Sequence, residues 1–241
     1  MHHVEVEGWS RRSSPLHRRD ARCKLAALTA FLIAVSTTPI TVAIARTSLV
    51  YGAYVALLIA AAVASRVPIA GLVRRAALVL PFSATFALLT WWSGDPRRAL
   101  AIAEKSFLSG FAALLLIATT PLAQLLAALE WLRVPRLLIL VTQFVYRYLF
   151  VISEQAQHMR LAARSRLGSG AQRTRRFEAA AGAIGVLFIR SWERAGGIYR
   201  AMLARGFTGS FSASVRPHLH AADFGFLAGA IAACVAIRLS A

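Results

Sequence analysis

Residues 106–129, with the sequence SFLSGFAALLLIATTPLAQLLAAL, form the longest stretch of the chain that carries no charged side chain. A helix needs about 20 predominantly apolar residues to cross the hydrocarbon core of a bilayer, so this stretch is long enough to span one. The charge-free residues 25–45, 47–65 and 76–94 approach or reach that length, and a shorter run covers residues 224–237. The pattern predicts an all-α integral membrane protein with about five transmembrane helices.

The composition excludes a soluble globular domain of ordinary make-up. Of the 241 residues, 58% are hydrophobic, the mean hydropathy is +0.59, and the formal net charge is +18. Average soluble domains combine neither such hydrophobicity nor such a charge imbalance. Five spans of about 20 residues would still use less than half of the chain, so a further structural region is expected.

Charge and hydropathy divide the chain into a basic amino-terminal segment (residues 1–24), a region with four spans (25–129), a charged cytoplasmic insert (130–216) and a last span with the carboxyl terminus (217–241). The first two charge-free stretches are nearly continuous, so a turn must separate them. Ser36-Thr37-Thr38-Pro39 predicts that turn, because proline lacks the N–H that would continue the helix.

Lys and Arg set the predicted orientation, because the cytoplasmic loops of membrane proteins carry an excess of both. If the amino terminus lies in the cytoplasm, 23 of the 28 basic residues fall in cytoplasmic segments. The sequence therefore predicts a multi-pass protein of the inner (plasma) membrane, with its amino terminus inside and its carboxyl terminus outside. Cys23 and Cys234 would then lie near opposite membrane faces, and no disulfide is expected.

The cytoplasmic insert is predicted to form two long amphipathic helices that lie along or below the membrane. Pro135 suits a helix start and Gly168 a helix end, which gives a first helix from about Arg136 to Leu167. A second helix follows the Gly168-Ser169-Gly170 break and stops at Gly206. Each helix would be roughly 45 to 50 Å long.

Both predicted helices end in an arginine between small residues, Ala163-Arg164-Ser165 and Ala204-Arg205-Gly206. Small neighbours leave the guanidinium group projecting, so that it can enter a groove on another protein and pair with a carboxylate there. Two alternatives remain open. Helix termination alone selects an arginine followed by glycine, and anionic lipid headgroups attract basic segments.

The chain resembles the transmembrane T components of energy-coupling-factor (ECF) importers, and within them the cobalt-type CbiQ family. The stretches that carry the resemblance are spread over nearly the whole chain: residues 20–25 (DARCKL), 120–122 (TPL), 132–135 (LRVP), 146–148 (YRY), Glu154, 163–165 (ARS), 188–195 (FIRSWERA) and 201–209 (AMLARGFTG). The last two stretches are the most specific.

The resemblance implies a coupling subunit that joins two cytoplasmic ATPase subunits to a substrate-capturing membrane subunit, for uptake of cobalt or nickel. It implies that the two long helices cross and that Arg164 and Arg205 each dock into one ATPase subunit. Ala-Arg-Ser in the first motif departs from Ala-Arg-Gly but keeps a small third residue. Five charged residues of the insert form either a polar network between the helices or merely solvated faces: Arg147, Glu154, Arg190, Glu193 and Arg194.

No Gly-x-x-x-x-Gly-Lys-Ser/Thr motif occurs, so the chain has no phosphate-binding loop of this type and is not expected to be an enzyme. ATP is expected in the partner subunits, and no cofactor is expected to bind directly. The six scattered histidines lack a surrounding set of thiolates or carboxylates, so no metal site is predicted. Membrane lipid is an expected partner and nucleic acid is not.

Two other functions compete with this interpretation. An independent small-solute transporter would need ionisable residues inside its spans, and the first, third and fourth charge-free stretches contain none. A basic membrane anchor or scaffold that recruits anionic lipid or nucleic acid would depend on total charge rather than on particular arginines.

Overall fold

The computed structural model describes residues 14–39, 44–168, 172–209 and 220–239, and side chains throughout these ranges except residues 44–48. Over these ranges the chain is helical and contains no strand, which confirms the all-α class. The helices are α1 (Ala21–Thr37), α2 (Ile44–Ser65), α3 (Ile69–Ala76), α4 (Leu80–Trp92), α5 (Pro96–Thr119), α6 (Leu122–Trp131), α7 (Arg136–Leu167), α8 (Arg173–Ala204) and α9 (Ala221–Leu239).

The helices group into two compact units. The first unit comprises Met1–Leu132 together with Arg216–Ala241, and the second comprises Arg133–Val215. Helices α1 to α6 and α9 therefore belong to the first unit, while α7 and α8 form the second. Arg133, at the start of the second unit, has a φ of 64°, a left-handed conformation that is uncommon for a residue other than glycine.

Helix α1 ends where the predicted turn begins. Asp20 caps its first turn by accepting a hydrogen bond from the Arg22 N–H at 2.8 Å. The last helical residue is Thr37, two residues before Pro39, so the predicted turn is confirmed. The prediction that the charge-free run 25–45 marks one span is wrong. The chain leaves the helix after Thr37, and Ala45 already belongs to α2.

The stretch at residues 106–129 is also not one helix. Helix α5 begins ten residues earlier than this stretch, after Asp95, whose carboxylate accepts a hydrogen bond from the Arg98 N–H at 3.2 Å. It ends at Thr119, because Pro121 cannot continue it, and the short α6 follows. Arg97, Arg98 and Lys105 lie within α5 rather than in an outer loop, so the charge-free runs misplaced both helix ends.

The third span is longer than its charge-free core. Helices α3 and α4 join through a 3-10 turn at Ala77–Val79 and give a continuous helical rod, Ile69–Trp92, whereas residues 76–94 were predicted. Arg74 and Arg75 are therefore part of the rod. This rod packs closely on α5, since a Cβ atom added at Gly110 would lie 3.1 Å from Val79 Cγ2.

The core of the first unit gathers residues from α1, α2, α3, α5 and α9. Tyr54 is completely buried at its centre, and its ring meets Phe31 edge-on with ring centroids 5.6 Å apart. Such edge-on aromatic pairs add to the free energy gained by burial alone. Many large apolar side chains point outward instead, including Phe82, Trp91 and Trp92 on α4. An outward apolar surface is what contact with lipid requires.

Within the residues that the structure describes, four helices are long and apolar enough to cross a membrane by length and composition: Ile69–Trp92, Pro96–Thr119, Arg136–Leu167 and Ala221–Leu239. Leu49–Ser65 and Leu122–Trp131 are shorter apolar helices. The fifth predicted span, residues 224–237, lies inside α9. Helix α7 was predicted to be cytoplasmic, yet the apolar first half of this helix gives it the composition of a span.

The second unit is a pair of 32-residue helices that contact each other. The predicted bounds of the first helix, Arg136 to Leu167, are confirmed. On α8 no residue is buried, and the half-buried positions recur every three or four residues, as expected when one helix face packs. These positions are Ala179, Ala183, Leu187, Ser191, Arg194, Gly197 with the adjacent Ile198, and Met202.

The close approach at Gly110 predicts a stability difference between two glycines. Gly110→Leu forces bulk against Val79, so we expect a loss of about 1–3 kcal/mol of unfolding free energy. Gly52→Leu is the control, because a Cβ atom at Gly52 meets nothing within 4 Å. Thermal unfolding of both variants in detergent, followed by circular dichroism, measures the difference. Equal melting curves for the two variants would contradict the packing described here.

Candidate functional site

The first arginine motif lies inside the last turns of α7. Arg164 is exposed, and its carbonyl accepts a hydrogen bond from the Gly168 N–H at 3.2 Å. The Ser165 hydroxyl donates to the Ala162 carbonyl at 2.9 Å and is therefore turned toward its own helix. Gly168 ends the helix with a φ of 69°. Ala163-Arg164-Ser165 is thus wholly helical, and a small hydroxyl at Ser165 adds no bulk beside the guanidinium group.

The second motif straddles the end of α8. Ala204 is its last residue, and Arg205 follows as the cap. The Gly206 N–H donates to the Leu203 carbonyl at 3.0 Å, and the Phe207 N–H donates to the Met202 carbonyl at 3.1 Å. This is the Schellman pattern, which needs a residue with positive φ, and Gly206 has a φ of 77°. Helix termination therefore explains Gly206, whereas it does not require the exposed arginine before it.

The two motifs lie far apart on the second unit. Arg164 lines a groove together with residues of α8 from Arg176 to Leu187, so it lies beside the first half of that helix. Arg205 follows the last residue of α8. Arg205 lies 18 positions beyond Leu187, which is about 27 Å along the helix axis. One small ligand cannot contact both arginines, but two separate partners can.

The groove has a volume of about 1000 Å³ and lies between the end of α7 and the start of α8. Three arginines line it, Arg160 and Arg164 from α7 and Arg176 from α8. Of these three, only Arg164 was predicted from the sequence as a site residue. Arg160 and Arg164 are four residues apart and therefore share a helix face, a signal that was available in the sequence. Only the tertiary structure shows that Arg176 lines the same groove from α8.

The five charged residues proposed as a network lie on α7 and α8. Arg147, Glu154, Arg190 and Glu193 are exposed, and Arg194 is half-buried. Among the described residues, no hydrogen bond or ion pair of the second unit joins any two of these five. The Arg147 guanidinium carbon lies 5.9 Å from the ring centroid of Tyr148. The network stays a prediction, and so does the alternative that the five side chains form solvated faces.

A cluster of buried polar groups in the first unit was not predicted as a site. This polar joint consists of Lys24 and the groups that it contacts on His17, Thr119 and Thr120. The side chain of Lys24 is nearly inaccessible to solvent, with the residue 5% exposed. Its Nζ donates to the Thr119 carbonyl at 3.0 Å, to the Thr120 hydroxyl at 3.3 Å and to the His17 carbonyl at 3.4 Å. Lys24 thereby closes the carboxyl end of α5, where Pro121 interrupts the helix. Two of the stretches that carry the family resemblance, at residues 20–25 and 120–122, meet at this joint.

Asp223 ties the last helix to the same region. The residue is 3% exposed, and its carboxylate accepts hydrogen bonds from the His220 N–H at 3.0 Å and from the Asp20 N–H at 3.4 Å. The bond to His220 is one half of a capping box at the start of α9. Arg19 Nη1 lies 3.8 Å from the same carboxylate. Residues about 200 positions apart in sequence are therefore joined through backbone and side-chain contacts.

No group of three or more His, Cys, Asp or Glu residues is arranged to hold a metal ion within the ranges that the structure describes. His17 Nδ1 lies 2.7 Å from the Ser14 hydroxyl and shares a hydrogen bond with it. Three other histidines, His2, His3 and His218, lie outside the described residues. Cys23 and Cys234 are buried and unlinked.

Several apolar helices and a pair of long charged ones define an all-α, multi-pass membrane protein. The family model of the cobalt transport protein CbiQ matches residues 12–218 of this chain. The chain therefore belongs to the CbiQ family of cobalt transport proteins. This is a family of transport proteins and not of enzymes.

Three curated proteins are similar to the chain over part of their length. The cobalt transport protein CbiQ of Rhodobacter capsulatus is 34% identical over 123 residues, which cover 51% of this chain and 50% of that protein. Two uncharacterized proteins of Methanocaldococcus jannaschii are 30% and 31% identical over 115 and 103 residues, covering 48% and 42% of this chain. The matches cover 39% and 38% of those two proteins. The chain thus spans half or less of the length of these relatives.

The buried joint predicts that Lys24 is needed for stability. Lys24→Met removes a donor from the Thr119 carbonyl and leaves buried acceptors unpaired, so we expect a loss of about 1–3 kcal/mol of unfolding free energy. Arg18→Met is the matched control, because Arg18 is a nearby exposed cation. Thermal unfolding in detergent measures both variants. An equal shift in the two would show that charge, and not the joint, sets the stability.

Proposed function

We propose that the chain is the transmembrane coupling (T) subunit of an ATP-driven importer of the energy-coupling-factor type. Two cytoplasmic ATPase subunits bind and hydrolyse ATP, and a separate membrane subunit captures the substrate. The second unit passes the motion of the ATPase subunits to the substrate-capturing subunit. Membership of the CbiQ family supports a role in transport, and the chain carries no phosphate-binding loop of the P-loop type.

One observation carries the proposal: two exposed arginines, each between small residues, lie at separate ends of a pair of 32-residue helices. An arginine presents several N–H donors in a fixed plane and binds a carboxylate with two hydrogen bonds at once. Arg164 and Arg205 are thus suited to dock one partner subunit each. A helix is stiff along its axis, so a shift at either docked end moves the whole helix.

The orientation proposed here places α7 and α8 on the cytoplasmic side. Basic residues accumulate in the second unit, with 14 arginines between Arg133 and Arg216 against three glutamates. Cytoplasmic segments favour such an excess, although long segments constrain orientation less than short loops. Helix α7 has the composition of a span, but charged side chains at Arg147 and Glu154 interrupt it. Charged groups at a bilayer centre are costly, so we propose that α7 lies at or below the membrane surface.

Cobalt is the proposed ion, with nickel as the nearest alternative. The family is named for cobalt transport, and the Rhodobacter capsulatus relative carries the same name. The residues that select the ion are proposed to lie in the substrate-capturing subunit, since histidines and carboxylates of the described ranges form no ligand cluster. Competition between labelled cobalt and nickel during uptake by the assembled complex distinguishes the two ions.

Replacing the two docking arginines tests the coupling role. We expect Arg164→Glu or Arg205→Glu to lower co-purification of the ATPase subunits by about tenfold or more, because each change places a carboxylate against a carboxylate. The double variant should abolish ATP-driven cobalt uptake in proteoliposomes. Co-purification and cobalt uptake are both measured on the complete complex.

Arg173→Glu with Arg175→Glu is the matched control, since both residues are exposed on α8 and change the net charge equally. Wild-type assembly and uptake in the Arg164/Arg205 double variant would refute the docking role. An equal loss in the control would favour a basic membrane anchor, which depends on total charge alone.

Cysteine labelling tests the orientation. Ser93→Cys lies in the exposed link between α4 and α5, and we expect a membrane-impermeant maleimide to label it from outside the cell. Thr174→Cys, exposed at the start of α8, should react only after the membrane is opened. Cys23 and Cys234 are buried, so the parent chain supplies the unlabelled background. The reverse pattern would invert the topology.

A further inference from the structure

We propose that the groove between the end of α7 and the start of α8 receives an acidic helical segment of one partner ATPase subunit. This inference rests on the proposed coupling function and extends it. Docking at the first motif then involves not only the insertion of Arg164 into a partner but also the seating of the partner between two helices of this chain. Arg160 and Arg176 become specificity-determining residues that the sequence pattern alone does not single out.

Charge complementarity identifies the occupant. Arg160, Arg164 and Arg176 approach the groove from both helices, and no carboxylate is among the residues that line it in the described ranges. Within that part of the chain, no ion pair joins Arg160 or Arg164 to Asp or Glu. Arg160 and Arg164 lie four residues apart on one face of α7, so their positive charges repel each other unless an anion comes close. Carboxylates accept two hydrogen bonds from each guanidinium group, which makes an acidic segment the matching partner.

The lining and the dimensions of the groove fit a helix. Five alanines line it, Ala156 and Ala163 on α7 and Ala179, Ala180 and Ala183 on α8. Small residues on facing helices allow the backbone of a further helix to come close. The lining residues run from Ala156 to Leu167 along α7, a length of about 17 Å. Two turns of helix, about 11 Å long and 10 Å wide, occupy roughly 850 Å³, which the groove of about 1000 Å³ can hold.

An anionic lipid is the competing occupant. Its headgroup would satisfy the arginines, but its acyl chains gain nothing from a close approach of backbones. Four larger apolar side chains, Met159, Leu167, Ile184 and Leu187, line the groove together with five alanines and three arginines. The five alanines favour a protein helix over a lipid, because they allow a helix backbone to come close.

The groove makes the two docking points different. Arg205 does not line it, and its motif ends in a closed Schellman turn. A partner at Arg164 therefore contacts three arginines and two helices, while a partner at Arg205 contacts the tip of one helix. The first docking point is expected to hold its ATPase subunit more tightly than the second.

Two pairs of variants of the full-length chain, assembled with its ATPase partners, test the inference. Arg160→Glu with Arg176→Glu reverses charge in the groove while keeping Arg164, and Arg173→Glu with Arg175→Glu makes the same change outside the lining. Ala180→Trp fills the groove without changing charge, and Ala181→Trp places the same bulk at the next residue, which is also exposed and does not line the groove. The measured quantity is the amount of ATPase subunit that co-purifies with each variant.

We expect both groove variants to lower ATPase co-purification by about tenfold or more, and both controls to retain it. If the groove variants bind like the parent while Arg164→Glu loses binding, the groove inference is overturned and the coupling function stands. If Arg164→Glu also binds like the parent, both are overturned. An equal loss in the paired controls overturns the groove inference, because net charge or helix disruption then explains the result.

Lipid occupancy is tested on the same proteins in nanodiscs of phosphatidylcholine with added phosphatidylglycerol. Native mass spectrometry counts the phosphatidylglycerol molecules that stay bound after release from the nanodisc. Lipid retention that is equal in the parent and in Ala180→Trp supports a protein occupant. Phosphatidylglycerol held by the parent and lost from Ala180→Trp, with ATPase co-purification unchanged, overturns it.

Discussion

The ends of helices impose the constraint on which the first unit depends. The last carbonyl groups of a helix have no partner within that helix, and a bilayer offers no water to satisfy them. Lys24 meets this need at the end of α5, and Lys105 meets it at the end of α1 by donating to the Ser36 and Thr38 carbonyls at 3.0 and 2.9 Å. Lys24 belongs to α1 and Lys105 belongs to α5, so each lysine caps the end of the helix to which it does not belong. The same hydrogen bonds therefore end the helices and hold them together.

A glycine lies at the carboxyl end of each helix of the second unit. Gly168 and Gly206 adopt positive φ, and backbone hydrogen bonds close both ends locally. The fold consequently places no demand on the side chains of Arg164 and Arg205, which remain exposed. Exposed arginines that the fold does not use are available to a partner, and the proposed coupling role needs that availability. The buried Lys24 thus stabilises the first unit, whereas the exposed Arg164 and Arg205 are available to a partner, although all three side chains carry a positive charge.

Two motifs that look alike in sequence have different surroundings in the structure. Ala163-Arg164-Ser165 lies within a helix and beside a groove with two further arginines, whereas Ala204-Arg205-Gly206 ends a helix. In the proposed assembly the two ATPase subunits therefore bind at different surfaces, one in the groove beside Arg164 and the other at the helix end that carries Arg205. Long stiff helices between the two points would couple the movements of the two subunits.

The sequence by itself determined the all-α class, the turn before Pro39, the bounds of α7 and the positions of both arginine motifs. Those features follow from local rules: apolar run length, proline and glycine at helix ends, and 3.6-residue periodicity. It misplaced the ends of α1, α3 and α5, because a charge-free run does not mark where a helix starts when charged residues such as Arg97 and Lys105 continue it. Only the tertiary structure decided that Lys24 reaches Thr119, that Asp223 meets Asp20 and that Arg176 lines the same groove as Arg160. These pairings join different helices, and helix periodicity fixes which residues share a face but not which faces meet.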